Sequence, residues 1–230
     1  MAATPPIGRT SQVSPTCSTS TPTKLAPSPR SRRRLRVAAI VLVVLAIGFV
    51  IHERRAALER HLGDVATELG GRQVHVHCQT LAANLVDVSS EAGSVQFNVD
   101  GVPADTTDLK RPICNALKRF PHDVTSAAYG CVLNNTDCRQ RIWEDVLAVH
   151  TLAHEVWHLH GVTSEAQTEC YALQTTARAA SLLGGDPAAA QATATYALTR
   201  LYPELPDEYR EADCVDGGPL DLRSKDPQWP

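Results

Sequence analysis

Apolar side chains recur with a helical period in three successive segments of the second half of the chain. The first covers residues 143–160 and stops at Gly161, a residue type that commonly ends helices. Ser164 and Gln167 have the spacing of a capping box, so a second helix is expected to begin at Ser164. A third helix is expected over residues 186–202, because a proline stands in its first turn and another follows its end.

Shorter alternating patterns precede these helices. Apolar and polar residues alternate over residues 72–78 and 94–101, which predicts two strands, the second ending in an Asp-Gly turn. Residues 106–120 have helical spacing, whereas residues 127–138 are expected to form a loop that contains a disulfide. Together with the three helices, these segments predict a mainly helical α+β fold.

The longest uncharged stretch of the chain lies nearer the N-terminus, in residues 37–51. As a helix its fifteen residues rise about 22 Å, and snorkelling of the flanking arginines extends this toward the roughly 30 Å of a bilayer core. The alternatives are a buried core helix, which the lack of a polar face disfavours, and a signal peptide, which lacks a small-x-small cleavage motif here. Residues 37–53 are therefore predicted to be a single N-terminal transmembrane helix.

The segments on either side of this anchor differ in composition. Residues 1–36 are rich in Ser, Thr and Pro and are predicted to be a disordered tail. Residues 54–71 are predicted to form a helical stalk that leads to a domain over residues 72–230. More basic residues precede the anchor than follow it, so we expect a single-pass protein of the cell membrane with a cytoplasmic tail and an extracytoplasmic domain. The basic residues before the anchor are Lys24, Arg30, Arg32, Arg33, Arg34 and Arg36, and those after it are Arg54, Arg55 and Arg60.

Cysteine placement agrees with this orientation. Cys17 lies in the tail and six cysteines follow the anchor, which predicts up to three disulfides formed in an oxidising compartment. The alternative is that these six are buried free thiols. The net charge of -3, with acids and bases mixed along the chain, gives no indication of a nucleic-acid surface. The six cysteines are Cys78, Cys114, Cys131, Cys138, Cys170 and Cys214.

The first of the three predicted helices contains the sequence HEVWH. Its two histidines, His154 and His158, are four residues apart and so face the same side of the helix, where both can bind one Zn2+. Glu155 stands beside them, where it can accept a proton from a metal-bound water. A catalytic zinc site needs a third protein ligand, and the next helix offers Glu165 and Glu169, also four residues apart. Either carboxylate can reach a metal held by the two histidines.

HEVWH followed by SEAQTECYA resembles the gluzincin metallopeptidases, including the thermolysin-like and CAAX-protease-like families. The resemblance implies a zincin-type fold that hydrolyses peptide bonds, with Glu165 as the third zinc ligand and Glu169 as an acid that steadies a ligand histidine. Six residues separate His158 from Glu165, fewer than is usual in gluzincins and closer to the metzincin spacing. Gly161 coincides with the metzincin glycine, but Ser164 occupies the third-ligand position of that family and is a poor ligand for zinc.

Other residues near the motif have more than one interpretation. His150, one helical turn before His154, either contacts substrate or supports the metal ligands, or else it is a surface histidine. His75 and His77 share one face of a predicted strand, and solvent exposure is expected for them in preference to metal binding. Cys170 is expected in a disulfide that clamps the second helix.

These residues together predict a membrane-anchored zinc metallopeptidase whose substrate is a peptide or a protein. Zn2+ is the expected cofactor, held by His154, His158 and Glu165, and Glu155 is the expected catalytic base. Two alternatives stay open. One is a zinc-binding domain without catalytic activity, and the other is a disulfide-stabilised interaction domain of the cell envelope that binds no metal. The sequence predicts no oligomeric state.

Overall fold

The computed structural model describes residues 29–80, 83 and 91–223, with side chains from residue 37 onward. The chain divides into two compact units, Met1–Gly48 and Phe49–Pro230. The disordered tail predicted for residues 1–36 falls largely outside the described residues. Its last part, residues 29–36, is described and is helical.

The N-terminal helix, α1, spans Pro29–Gly70. Its part Val37–Gly70 contains a stretch long and apolar enough to cross a membrane, none of which is buried. The large apolar side chains at its start, such as Leu42 and Phe49, are about two-thirds exposed. Such exposure is unfavourable in water and favourable in a hydrocarbon phase. The chain therefore has a helix of membrane-spanning length and composition, as the sequence predicts, while its orientation across a membrane stays a prediction.

The C-terminal part of α1 packs into the domain that follows it. Leu62 and Ala66 are fully buried there, because residues four apart on a helix meet the same neighbouring surface. The Thr67 hydroxyl oxygen accepts a hydrogen bond of 3.1 Å from the amide of Val74, just before the first strand. Residues 54–71, expected to form a stalk, are therefore helical and contribute to the core of the domain.

A three-stranded sheet follows α1. Its strands are β1 His75–Cys78, β2 Gly93–Phe97 and β3 Pro103–Leu109, in the order β1-β3-β2. The central strand β3 runs parallel to β1 and antiparallel to β2. Strands β1 and β2 lie within the two segments predicted as strands. Strand β3 has no predicted counterpart, because its sequence PADTTDL is mostly polar and takes a strand conformation by pairing on both sides. Residues 106–109, expected to be helical, belong to it.

The helices after the sheet are α2 Arg111–Asp123, α3 Gly130–Leu133, α4 Gln140–Leu159, α5 Glu165–Leu182 and α6 Pro187–Tyr196. Ser164 caps α5 by accepting a hydrogen bond from the Gln167 amide, as the capping-box spacing predicts. Short helical turns continue the chain after α6 at Ala197–Leu201, Tyr202–Glu204 and Asp207–Tyr209. The mainly helical α+β architecture predicted from the sequence is confirmed.

Helix α4 lies at the centre of the domain, packed between α2, α5 and the sheet. Val146, Val149 and Leu152 on this helix are fully buried, and the helices around it contribute many alanines to the core. Because α4 is covered on nearly every side, its polar side chains are buried with the apolar ones, and each then requires a polar partner. The buried histidines and glutamate of α4 are His150, His154, Glu155 and His158.

Three disulfides join the six cysteines that follow the predicted anchor. They are Cys78–Cys114, Cys131–Cys138 and Cys170–Cys214. The first ties β1 to α2, the second closes the segment around α3, and the third fastens α5 to the C-terminal segment. The prediction of up to three disulfides is confirmed, and the alternative of six free thiols is wrong. The segment expected to be a loop, residues 127–138, also contains the short helix α3.

Candidate metal centre

Three side chains from α4 and α5 bring one ligand atom each to a common point. His154 Nε2 lies 3.0 Å from His158 Nε2, and Glu165 Oε2 lies 3.1 Å from the first and 3.3 Å from the second. The chain reverses between the two helices at Gly161, whose positive φ of 89° suits a residue without a side chain. This tight reversal places Glu165, the first residue of α5, beside the last turn of α4.

The hydrogen bonds of the two histidines determine which ring nitrogen faces this point. His158 Nδ1 donates to the carbonyl oxygen of Val162 at 2.8 Å, and His154 Nδ1 donates to Glu169 Oε2 at 3.0 Å. Carbonyl and carboxylate oxygens only accept, so each Nδ1 carries a hydrogen, and each neutral ring has its lone pair on Nε2. With both rings neutral, two nitrogen lone pairs and a carboxylate oxygen point at one another, an arrangement that a proton or a metal ion between them stabilises.

The same three atoms fit a zinc ion. Zinc bonds of about 2.0–2.2 Å in a tetrahedral site set neighbouring ligand atoms roughly 3.3 Å apart, close to the 3.0, 3.1 and 3.3 Å measured here. Imidazole nitrogen and carboxylate oxygen are also the donor types that zinc takes. Within the described residues, His154, His158 and Glu165 are the one group of three that meets the spacing for a metal ion.

The carboxylates and histidines of the cluster shift each other's pKa values. Burial lowers the pKa of His154, but hydrogen bonds to Glu165 and Glu169 outweigh it and raise the pKa to about 9. Hydrogen bonds from His154 and His158 lower the pKa of the Glu165 carboxyl to about 2. The site thus favours a positive charge on its ligand side, which is supplied either by a proton or by a metal ion.

Glu169 lies one turn deeper along α5 and is buried. Its Oε1 accepts a hydrogen bond of 2.7 Å from His150 Nε2, while its Oε2 binds His154 Nδ1. His150 Nδ1 lies 2.8 Å from the Thr176 hydroxyl. Burial raises the pKa of Glu169, but the charges and hydrogen bonds of His150 and His154 outweigh it and lower the pKa to about 2. Glu169 therefore lies behind His154, and His150 lies behind Glu169. Glu165 is the glutamate whose carboxylate oxygen meets the Nε2 atoms of the two histidines of the cluster.

Glu155 is buried beside the cluster, against the sheet. Its Oε2 lies 3.3 Å from the hydroxyl of Thr107 in β3, and that hydroxyl is also 3.1 Å from the carbonyl oxygen of Ser94. Burial raises the pKa of Glu155 to about 7, against the opposing effect of His154 and His158. A Cβ atom at Gly93 in β2 would lie 2.6 Å from Glu155 Oε1, so only glycine leaves room for this carboxylate.

The cluster opens onto a cleft of about 620 Å3. Strand β2 lines it with Gly93, Val95 and Phe97, and the C-terminal turns line it with Leu205 and Tyr209. The ring centroids of Tyr209 and His154 are 6.0 Å apart. Burial, followed by the charge of Glu165, raises the pKa of Tyr209 to about 12, so its hydroxyl remains a hydrogen-bond donor at neutral pH.

Strand β2 is an edge of the described sheet, and the cleft runs beside it. Lys110 N donates to the Ala92 carbonyl oxygen at 3.0 Å. This bond shows which residues of β2 direct their backbone groups toward β3. Backbone groups alternate in direction along an antiparallel strand, so the N–H and C=O groups of Gly93 and Val95 face away from β3. These two residues line the cleft.

The C-terminal wall of the cleft is fastened to α5. The Cys170–Cys214 disulfide connects the two, and Gln174 donates to the Leu220 carbonyl oxygen at 2.9 Å and accepts from the Leu222 amide at 2.8 Å. The prediction that Cys170 clamps the second helix through a disulfide is confirmed. Because Cys170 adjoins Glu169, the disulfide keeps the segment that contains Tyr209 close to the cluster of His154, His158 and Glu165.

His75 and His77 lie on β1, at the edge of the sheet opposite to the cleft strand, and both are exposed. His77 Nδ1 is 2.6 Å from Asp108 Oδ1, and its Nε2 is 2.9 Å from a guanidinium nitrogen of Arg55. The expected solvent exposure is confirmed, and the polar partners of His77 come from other elements and not from His75.

The sequence did not single out three residues that line the cleft, Gly93, Phe97 and Tyr209, or Thr107, the partner of Glu155. They lie far from the HEVWH segment along the chain, and no local spacing relates them to it. A glycine at the start of a strand and a tyrosine in a proline-rich segment are common features without a functional signal of their own.

The chain matches no protein-family model, no curated protein and no solved structure. What the cleft does must therefore follow from its own side chains. They place three atoms that could hold a metal ion beside a cleft, with the buried Glu155 carboxylate and the Tyr209 phenol nearby.

Proposed function

We propose that this protein is a membrane-anchored, zinc-dependent metallopeptidase of zincin type. The observation that carries the proposal is the convergence of His154 Nε2, His158 Nε2 and Glu165 Oε2 next to the buried Glu155 carboxylate. A structural zinc site is closed by four protein ligands, whereas a catalytic site has three and faces a cavity. This cluster has three and faces the cleft.

When bound, zinc lowers the pKa of a coordinated water and polarises a substrate carbonyl. His154, His158 and Glu165 hold the metal, and Glu169 keeps His154 in the tautomer that presents Nε2. Glu155 accepts a proton as water attacks the scissile carbonyl carbon and then gives a proton to the departing amine nitrogen. A base with a pKa near 7 is suited to both transfers at neutral pH.

The edge strand and the tyrosine supply the remaining functions. An extended peptide laid antiparallel or parallel to β2 pairs with the outward backbone groups of Gly93 and Val95, which positions its carbonyl over the cluster. Tyr209 lines the cleft with its ring centroid 6.0 Å from that of His154, and its hydroxyl donates a hydrogen bond to the carbonyl oxygen as negative charge develops on it. No oxyanion donor is apparent from the sequence, and Tyr209 fills that role in this proposal.

We place the domain outside the cell membrane, with the N-terminal tail in the cytoplasm. The excess of basic residues before the apolar helix and the three disulfides support this orientation. Protease added to intact cells should degrade the domain and spare the tail. Protection of the domain would contradict the orientation.

The two alternative functions, zinc binding without catalysis and an interaction domain without metal, each leave part of this arrangement without a role. A metal-binding domain without catalysis has no need for Glu155, which is buried at a cost and given space by Gly93. An interaction domain without metal has to hold a proton among His154, His158 and Glu165, and it gives their convergence beside a cleft no purpose. Both considerations favour the peptidase.

Metal content and hydrolysis together test the proposal. The full chain, purified in detergent after export to an oxidising compartment, should carry close to one zinc ion per chain and cleave a mixed peptide library. Glu165→Gln should lose most of the zinc, and Glu155→Gln should keep the zinc but lose cleavage. Zinc bound without any cleavage by the parent chain would favour the non-catalytic alternative. No zinc after incubation with the metal would overturn the site itself.

A further inference from the structure

Acidic side chains outnumber basic ones in the lining of the cleft. Among the described lining residues are five glutamates and three histidines, and none is lysine or arginine. Three of the glutamates belong to the metal cluster or adjoin it. The other two, Glu91 and Glu208, come from the start of β2 and from the C-terminal turn, and have no part in the proposed reaction.

Glu91 and Glu208 are both exposed. Within the part of the chain that the structure describes, neither carboxylate has a hydrogen bond or an ion pair with a cation. By contrast, Asp207, the residue before Glu208, forms an ion pair with Arg210. Two unpaired carboxylates on separate elements that flank one cleft are available to a charge that enters it.

The negative field persists with a metal in place. A zinc ion contributes two positive charges against the five carboxylates of the lining, so the cleft keeps a net negative charge. Clefts with low-dielectric walls concentrate such a field. The same carboxylates lie near Tyr209, and Glu165, Glu91 and Glu208 add to burial in raising the pKa of its hydroxyl.

Resting on the proposed function, we infer that the substrates are peptides that carry a positive charge close to the scissile bond, with Glu91 and Glu208 as the groups that select them. The cation is either a lysine or arginine side chain or a free amino terminus. The apolar lining supplied by Trp143, Leu147, Leu201 and Leu205 suits the aliphatic stem of a basic side chain or an apolar neighbour.

A matched peptide series tests the inference on the full chain in detergent. The peptides differ at one position, Lys, Gln or Glu, and each is prepared with a free and with an acetylated amino terminus. We expect kcat/KM to be about fivefold higher for the Lys than for the Gln peptide and lower again for the Glu peptide, with the differences shrinking at high salt.

Variants assign the preference to the two carboxylates. In the double variant with Glu91→Gln and Glu208→Gln, the ratio of kcat/KM for the Lys peptide to kcat/KM for the Gln peptide should fall toward one. The matched control is Glu204→Gln, an exposed glutamate on the neighbouring turn that does not line the cleft, and it should leave the ratio unchanged. If acetylation lowers kcat/KM for all three peptides alike, the selected cation is the amino terminus; if only the change from Lys to Gln lowers it, the selected cation is the basic side chain.

Other outcomes overturn the inference. Equal cleavage of the Lys, Gln and Glu peptides, with no effect of acetylation, does so while leaving the peptidase proposal intact, and so does a cation preference that survives in the double variant. If the parent cleaves none of the peptides, the peptidase proposal fails and binding of the same labelled peptides decides the inference. Tighter binding of the Lys peptide that is lost in the double variant supports it, and equal binding refutes it.

Discussion

His154 Nδ1 donates a 3.0 Å hydrogen bond to Oε2 of Glu169, a buried residue on the adjacent helix. The other oxygen of this carboxylate accepts from His150, so a single side chain of α5 is bonded to two successive turns of α4. This bond determines that His154 presents Nε2 to the metal cluster. It also gives His150, which has no place among the ligands, a role in holding Glu169.

We expect Glu169→Gln to weaken zinc binding about 10- to 100-fold, because an amide cannot accept hydrogen bonds from both histidines. Competition with a chromophoric chelator measures the affinity in the full chain. Glu204→Gln, on the surface, is the control and should bind zinc as the parent does. If Glu169→Gln abolishes zinc binding while Glu165→Gln retains it, the two glutamates have exchanged roles.

Gly93→Ala should reduce activity at least tenfold while zinc remains bound. The added methyl group would stand 2.6 Å from Glu155 Oε1, so the carboxylate or the strand must move, and overpacking of this kind costs about 1–3 kcal/mol of stability. Peptide cleavage, zinc content and thermal unfolding are measured together. Gly130→Ala is the matched control, since a Cβ there meets nothing within 4 Å. Full activity in Gly93→Ala would show that Glu155 does not act from the position seen here.

Tyr209→Phe should lower kcat by about 10²- to 10³-fold with little change in KM, because the lost hydrogen bond forms only as charge develops on the carbonyl oxygen. Steady-state kinetics on one peptide separate the two constants. Tyr171→Phe is the control, since Tyr171 packs on Trp157 and does not line the cleft. An increase in KM at unchanged kcat would assign Tyr209 to substrate binding alone.

A buried acid remote from the cleft should make stability depend on pH. Asp145 on α4 is fully buried, 2.7 Å from Arg119, and close to Asp123. Burial, with a further contribution from Asp123, raises the pKa of Asp145 from 3.8 to about 7. Since the folded state binds this proton more tightly, the stabilisation is full below about pH 4 and is lost as the pH rises through about 7.

Asp145→Asn mimics the protonated acid and should therefore gain stability relative to the parent at pH 8 and not at pH 4. The expected difference in Tm is several degrees, measured by thermal unfolding of the full chain at the two pH values. Asp105→Asn, at an exposed position, should show no such pH-dependent difference. A constant offset between Asp145→Asn and the parent at both pH values would contradict the raised pKa.

Local spacing was sufficient for much of the site. Residues His154 and His158 share a helix face by their separation alone, and Gly161 with the Ser164 cap predicts the reversal that brings Glu165 next to them. The disulfides were predictable in number from the cysteine count, but not in pairing, because pairing depends on which elements meet in the folded chain.

Other features depend on contacts between distant segments. Strand β3 forms although its residues are poor strand formers, because β1 and β2 provide partners on both of its edges. The helical segment after the apolar stretch belongs to the core and not to a separate stalk, because Leu62 and Ala66 find a surface to pack on.

The amino-acid sequence alone predicts most of the helices, the apolar N-terminal segment and the HEVWH motif, because each depends on periodicity within a few turns of chain. Contacts in the folded chain were needed to show that Gly93 makes room for Glu155, that Tyr209 lies beside His154, and that Glu91 and Glu208 flank the same cleft. These residues are separated by tens of positions in the chain. Their proximity results from the packing of β2 and the disulfide-fastened C-terminal segment around α4 and α5, which no local pattern encodes.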